Sequence, residues 1–156
     1  KITELNDELN KTYVPFGTTG EQGRALQVEQ DANSMKSGGS SSVAERAQFK
    51  ANAQYQNYRW DLVDASKQDG FKLEDIKNEE LPAEMQSMTL DEQKKYIADV
   101  VGKRADVQGE INKLALERQK FLDEEIKKQD LNGKAGFDKV VRDTIRSQAE
   151  RKNFKF

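Results

Sequence analysis

Cysteine and histidine are both absent from this chain of 156 residues. Their absence excludes a thiol nucleophile, a disulfide, a zinc-finger pattern, a histidine general base and a Ser-His-Asp triad. Long hydrophobic runs are missing as well, and none approaches the roughly 20 residues that a membrane-spanning helix needs. The chain starts at Lys1, without an initiator methionine and without a signal-peptide pattern. We therefore expect a mature product, a proteolytic fragment or a segment of a longer protein.

The sequence also has few apolar residues and no excess of one charge sign. The hydrophobic class makes up 35% of the residues and the charged class another 35%, against typical values of about 45–50% and about 25%. This composition suits helices that bury a narrow apolar stripe and expose the rest to solvent. The 26 basic and 28 acidic residues are interspersed, so we expect no basic patch and no nucleic-acid partner.

The few prolines and glycines divide the chain near its start. Ile2, Leu5 and Leu9 lie on one face of a predicted short helix, which ends before the segment YVPFG at residues 13–17. Pro15 removes a backbone donor and disfavours helical geometry in the residue before it. Because this segment is also apolar, we expect it to be extended and to dock against later helices.

The stretch KSGGSSS at residues 36–42 is typical of a flexible loop. Helical spacing predicts one helix before it, over 24–35, and another after it, over about 43–58. The segment NYRWDLVDA follows the second helix. Its Trp60 and Leu62 make it the most core-like patch in the chain.

The longest predicted element is a helix over about 90–128. Thr89 and Glu92 form a capping box at its start, and no proline interrupts it. Two sets of positions spaced by seven describe its buried seam, one wholly apolar and one mixed. These sets are Val100, Val107, Leu114 and Phe121, and Ile97, Arg104, Ile111, Arg118 and Glu125. The sequence therefore predicts an all-α fold, an elongated helical hairpin or small bundle with an irregular N-terminal segment.

No motif predicts a metal, a cofactor or a small-molecule ligand. The stretch DLNGKAGFD matches a calcium-binding loop at Asp130 and Asn132 only. Ala135 stands where that loop requires glycine, and Val141 stands where it requires a bidentate acid. We therefore interpret this stretch as a turn between two helices.

Acidic residues are the remaining route to catalysis. Most of them stand in heavily charged surroundings, which is typical of a solvated helix face. Asp61 and Asp64, beside Trp60, are the only acids in an apolar setting. A carboxylate-only glycan hydrolase is therefore an alternative hypothesis, and we favour a protein that is not an enzyme.

Three aromatic residues form the candidate interaction surface: Tyr55, Tyr58 and Trp60. The apolar Leu62 and Val63 follow them, so one interpretation places these rings in the core. The other interpretation places them in a groove that binds a protein partner. The sequence leaves both interpretations open.

Six stretches of the chain occur in an order that matches a known family. They are ELNDELNKTYVPFG (4–17), QVEQDANS (27–34), YRWDLVDA (58–65), FKLEDIKNEELPAEMQSMTLDEQKKYI (71–97), INKLALERQKFLDEE (111–125) and RSQAERKNFKF (146–156). This series resembles the C-terminal region of bacterial von Willebrand factor A (VWA) domain proteins. The stretch ELPAEMQSMTLDEQ carries the most specific part of the resemblance.

The resemblance implies a secreted or periplasmic parent protein in which a signal peptide and a VWA domain come first. Residues 1–17 would then link that domain to a helical domain over 18–156. The Asp-x-Ser-x-Ser motif of the VWA metal site does not occur in this chain, so the resemblance implies no metal-binding residue here.

The function that we expect is a structural or protein-interaction extension. Its partner would be its own VWA domain, a second copy of itself or another protein. The alternative is a stand-alone coiled-coil adaptor that is unrelated to VWA proteins.

Overall fold

The computed structural model describes residues 1–131 and 136–151. Its helices are α1 (Ile2–Asn10), α2 (Gly20–Lys50), α3 (Leu62–Ala65), α4 (Ala83–Gln86), α5 (Leu90–Leu131) and α6 (Gly136–Arg151). Two short 3-10 helices span Leu73–Asp75 and Asn78–Glu80. No β-strand occurs within the described ranges. The all-α class and the long central helix are thus confirmed.

The chain forms two compact units, Lys1–Ala115 and Leu116–Phe156. In the first unit, α1 packs against α2. The prediction that residues 1–17 link this region to a preceding domain stays a prediction. The sequence ends with Phe154 and Phe156, which predicts a docked C-terminus, and both residues lie outside the described ones.

Helix α5 begins where the sequence predicts. The Thr89 backbone N–H donates to Glu92 Oε2 at 2.7 Å, and the Glu92 backbone N–H donates to Thr89 Oγ1 at 3.4 Å. This reciprocal pair satisfies donors that have no partner inside the helix, which is the definition of a capping box. The capping box is therefore confirmed.

Two apolar clusters form the core of the first unit. One contains Val14, Leu62, Val63, Leu73, Leu81, Met85 and Ile97. The other contains Leu9, Ala47, Ala51 and Ile111. Residues of α5 belong to both clusters, so this helix supports the N-terminal segment and the first two helices together.

The YVPFG segment is extended and docked, as predicted. The Leu62 backbone N–H donates to the Val14 carbonyl at 2.8 Å, and the Phe16 backbone N–H donates to the Trp60 carbonyl at 2.9 Å. Pro15 and Asp61 form an isolated antiparallel bridge. Tyr13 and Val14 are buried. Backbone hydrogen bonds therefore hold the segment against residues 60–62.

Helix α2 reverses direction at Gly39, whose φ of 62° and ψ of -153° are not helical. A straight helix from Asp31 to Lys50 would cover about 28 Å at about 1.5 Å per residue. The Lys50 Nζ instead lies 2.9 Å from Asp31 Oδ2. The two limbs, residues 20–38 and 40–50, therefore form a hairpin, which places the Gly/Ser-rich stretch 36–42 at its turn.

The helix predicted over 43–58 ends at Lys50, so its predicted C-terminal boundary is wrong. The Asn52 side chain accepts a hydrogen bond from the Gln54 backbone N–H at 3.0 Å. Asparagine side chains that bond to the backbone in this way compete with helical hydrogen bonds. The Asn57 backbone N–H donates to Asp64 Oδ2 at 2.8 Å, which holds the next residues in a non-helical path.

Candidate protein-interaction surfaces

A buried arginine joins three distant segments of the first unit. The Arg104 Nη1 donates to Asp61 Oδ2 at 2.6 Å and to Asp64 Oδ1 at 3.1 Å. Its Nε donates to Thr12 Oγ1 at 3.0 Å, and its Nη2 donates to Asp61 Oδ1 at 3.1 Å and to the Thr12 carbonyl. The guanidinium carbon lies 4.7 Å from the centroid of the Tyr13 ring. We call these residues the Arg104 network.

A second ionic cluster, centred on Asp31, joins α1 to the α2 hairpin, and we call it the Asp31 network. The Lys50 Nζ, fully buried, donates to Asp31 Oδ2 at 2.9 Å, to Asn6 Oδ1 at 2.9 Å and to Asn10 Oδ1 at 2.6 Å. Both asparagines also donate to Asp31 Oδ2. The Arg46 Nε donates to Asp31 Oδ1 at 2.5 Å, so one carboxylate serves two cations.

The titration of these groups follows from their surroundings. Burial raises the pKa of Asp31, but hydrogen bonds from Asn10, Lys50 and Asn6 outweigh that effect and lower the pKa to about 2. Burial also lowers the pKa of Lys50, and the Asp31 carboxylate opposes this shift. Asp31 is therefore held in its ionised form by the donors around it.

The carboxylates of the hydrolase alternative belong to the Arg104 network. Asp61 is fully buried and Asp64 is 5% exposed. Asp61 also caps α3, because it accepts from the Asp64 backbone N–H at 3.1 Å. Burial raises the pKa of Asp61, and the Arg104 guanidinium opposes the shift. Neither carboxylate lines any of the three grooves described below.

The predicted aromatic surface of Tyr55, Tyr58 and Trp60 is partly packed and partly open. The Trp60 ring lies 5.3 Å from the Tyr13 ring, and a Cβ on Gly23 would lie 2.5 Å from Trp60 Cγ. Glycine at position 23 therefore lets this indole rest on the α2 backbone. Tyr58 is 44% exposed. One side of Trp60 is thus packed, Tyr58 is open to solvent, and the binding of a protein partner at this surface stays a prediction.

Two grooves meet at this aromatic surface. The larger one, of about 600 Å³, includes Leu26, Tyr55 and Trp60 among its lining residues, together with glutamines of α2. The smaller one, of about 250 Å³, runs along residues 56–60. Tyr55 is held in place, since the Gln27 Nε2 donates to its hydroxyl and its ring meets the Phe49 ring edge-on. Trp60 lines both grooves.

A third groove lies on another part of the first unit and has a volume of about 560 Å³. Its floor is apolar and includes Phe71, Ile97 and Val101. Three exposed lysines are also among its lining residues: Lys67, Lys72 and Lys94. We call it the lysine-rimmed groove.

Metal-ligand clusters and membrane-spanning helices are not found in the described part of the chain. Among the described residues, no group of three or more acidic side chains converges as a metal site would require. None of the helices in that part of the chain combines the length and apolarity needed to cross a membrane.

Comparisons of the chain with protein-family models, curated proteins and solved structures found no match.

Sequence reasoning missed both buried networks. The signal for Arg104 was present, because it interrupts a seam set in which Ile97 and Ile111 are also buried. Its partners were not recognisable, since Thr12 lies 92 positions away and Asp61 lies 43 positions away. Lys50 carried no such signal, since its predicted helix placed no apolar pattern on that position.

Proposed function

We propose that the chain is a non-enzymatic structural and protein-interaction extension of a secreted or periplasmic bacterial VWA-domain protein. It binds its own VWA domain or another protein through the aromatic surface. The resemblance of the six stretches quoted above to the C-terminal region of such proteins supports the identity of the parent. The open side of the aromatic surface supports the mode of binding.

The exposure of Tyr58 beside the half-buried Trp60 is the observation that carries this proposal. Tyrosine, tryptophan and arginine are the residues most enriched at the energetic centres of protein interfaces. Here Tyr58 and Arg59 are exposed beside Trp60. The Trp60 ring is already held by Gly23 and Tyr13, so binding would cost little additional ordering.

Calorimetric titration of the chain with the separately produced VWA domain tests the proposal. We expect binding in a 1:1 ratio, and we expect Tyr58→Ala to weaken it at least about tenfold. Tyr58 belongs to neither apolar core cluster, so this variant retains the fold. Phe121→Ala is the matched control, because Phe121 is also an exposed aromatic residue and lies in the second unit.

Equal affinities for the chain and the Tyr58→Ala variant would contradict binding through the aromatic surface. Failure of the VWA domain to bind at all would contradict the choice of that partner. A loss of affinity with Phe121→Ala alone would move the binding site to the second unit.

A coiled-coil adaptor is the second candidate function, and one observation favours it. Helix α5 has 42 residues, and its portion in the second unit exposes Leu116 and Phe121 by 64% and 61%. Exposed apolar residues on a long helix suit pairing with another helix. Light scattering of the chain and of Phe121→Glu tests this candidate. The candidate requires that the chain be an oligomer and that the variant be a monomer.

A further inference from the structure

The lysine-rimmed groove is independent of the aromatic surface and has its own chemistry. One face of α5 forms one wall, because Lys94, Ile97, Ala98 and Val101 follow the i, i+3, i+4, i+7 spacing of a helix face. The opposite wall comes from the segment around Phe71. Ala98, at the centre of the α5 face, is exposed and small, so a partner backbone can approach closely.

Lysines predominate among the charged side chains that line this groove. The Lys94 Nζ lies 3.7 Å from Glu74 Oε2, and the Lys67 Nζ lies 3.7 Å from Asp64 Oδ1. Lys72 makes no salt bridge within the described part of the chain, although its charge also interacts with the Glu74 carboxylate. Among the residues that line the groove, Glu74 is the single acid against three lysines. An occupant with acidic flanks would therefore be favoured over a basic one.

The backbone of the groove restricts the conformation of the occupant. An extended peptide gains affinity by adding to an exposed sheet edge, and the described residues contain no strand. A helical occupant satisfies its own backbone hydrogen bonds and needs only an apolar face and suitable flanking charges. The groove therefore fits a helix better than a strand.

We propose that the lysine-rimmed groove binds an amphipathic helix of a partner protein whose apolar face is flanked by glutamate or aspartate. The apolar face would lie over Ala98, between Phe71 and Ile97, and the acidic flanks would lie beside Lys72 and Lys94. Helix α6 of a second copy fits less well, because its exposed Val140 and Ile145 are accompanied by Arg142 and Arg146 as well as by Asp143. This binding goes beyond the function proposed above.

A synthetic peptide provides the test. The probe is a fluorescein-labelled helix of about five turns, or about 18 residues, with leucines on one face and glutamates on both flanks. Fluorescence anisotropy with the full chain should give an affinity at least about tenfold higher than that of a scrambled peptide of equal composition. Raising the salt concentration from about 0.05 M to about 0.5 M should weaken binding, because salt screens exposed charges.

Matched variants locate the binding. Ala98→Glu should weaken binding at least about tenfold, whereas Ala105→Glu, on an exposed position of the same helix, should change it less than about twofold. Lys72→Glu should weaken binding at least about fivefold, and Lys95→Glu is its control. All four positions are exposed, so the variants retain the fold.

Three results would overturn the inference. The first is equal binding of the designed and scrambled peptides. The second is binding of anionic phospholipid vesicles in place of the peptide. The third is self-association of the chain that Ala98→Glu abolishes, since a second copy would then be the occupant. None of these results depends on Tyr58, so none of them decides whether the proposed function is correct.

Discussion

Arg104 connects α5 to two distant segments of the first unit. Its five donor positions contact the N-terminal segment and the α3 region together, and its guanidinium lies against Tyr13. Tyr13 in turn contacts Trp60, and the Lys50 Nζ lies 5.9 Å from the Tyr13 centroid. Tyr13 therefore lies between the Arg104 network and the Asp31 network.

Replacing Arg104 with methionine should lower the free energy of unfolding by about 3–5 kcal/mol. The substitution preserves bulk but leaves the carboxylates of Asp61 and Asp64 buried without their cation. Urea unfolding measures the loss. Lys103→Met is the control and should cost at most about 1 kcal/mol, because Lys103 pairs with Glu8 at 3.8 Å on the surface. Equal losses for both variants would contradict the account of the Arg104 network.

Asp31 should make stability depend on pH in the acid range. Its pKa is about 2 in the folded protein against an ordinary value of 3.8, so the folded state favours the ionised form. The stabilisation is complete above about pH 4 and is lost as the pH falls through 2. With allowance for solvent screening, the loss between pH 5 and pH 2 should be about 1–2 kcal/mol.

Urea unfolding of the chain and of Asp31→Asn at both pH values measures this contribution. The variant should be less stable at pH 5, because Lys50 loses its buried counter-charge. Between pH 5 and pH 2 the variant should also lose less free energy of unfolding, because the titration of Asp31 no longer contributes. An identical pH dependence in both proteins would show that Asp31 does not titrate with a lowered pKa.

At the residue scale, local patterns predicted burial better than they predicted partners. The mixed seam set of α5 contains Arg104, Arg118 and Glu125 alike, and a pattern with a period of seven carries no information about Thr12 or Asp61. Trp60 was placed beside buried residues correctly. Its contact with Gly23 depends on the reversal of α2 and could not be recognised from spacing.

Among the elements, the α2 hairpin depends most on a single backbone conformation. Gly39 has φ 62° and ψ -153°, a region that residues with a side chain avoid. The limbs on either side are held by the Asp31 network and by a 2.9 Å contact between the hydroxyls of Ser34 and Ser42. The turn is therefore tight although its sequence is typical of a flexible loop.

Gly39→Ala should lower the free energy of unfolding by about 1–3 kcal/mol, because alanine is strained in this conformation. Gly109→Ala is the matched control. A Cβ at Gly109 meets no atom within 4 Å, and alanine favours helix, so this change should raise stability by about 0.5–1 kcal/mol. Thermal or urea unfolding gives both values. A stabilising Gly39→Ala would contradict the reversal at this residue.

Element boundaries were predictable where their signals were local. The capping box at Thr89 lies within four residues of sequence and marked the start of α5 correctly. The end of the second limb of α2 was not predictable in this way. The Asn52 side chain, which bonds to the Gln54 N–H, is a local signal, but the bond from the Asn57 N–H to Asp64 forms only once residues 57–64 have adopted their folded path.

For the whole molecule, the described chain consists of two compact units with different surfaces. The first unit, Lys1–Ala115, contains both ionic networks and all three grooves. In the second, the exposed apolar side chains include Leu116, Phe121 and Ile145. We infer that the first unit is a rigid platform for binding, because its buried cations and carboxylates hold the segments around the grooves in place.

The composition predicted the general character of the molecule. A chain with 35% charged residues can form helices with narrow apolar stripes, and that expectation led to the all-α class. The composition did not indicate that buried cations would join the helices. Nor does it identify a partner, because binding depends on surface shape that only the folded chain displays.

The most direct test of the proposed function is the molar mass in solution. Light scattering after size exclusion should be measured over about a hundredfold range of concentration, for the chain alone and with an equimolar VWA domain. The account predicts a complex that contains the chain and the VWA domain, and an assembly of the chain alone would favour the coiled-coil adaptor instead. A constant mass of 17.8 kDa under every condition would contradict it.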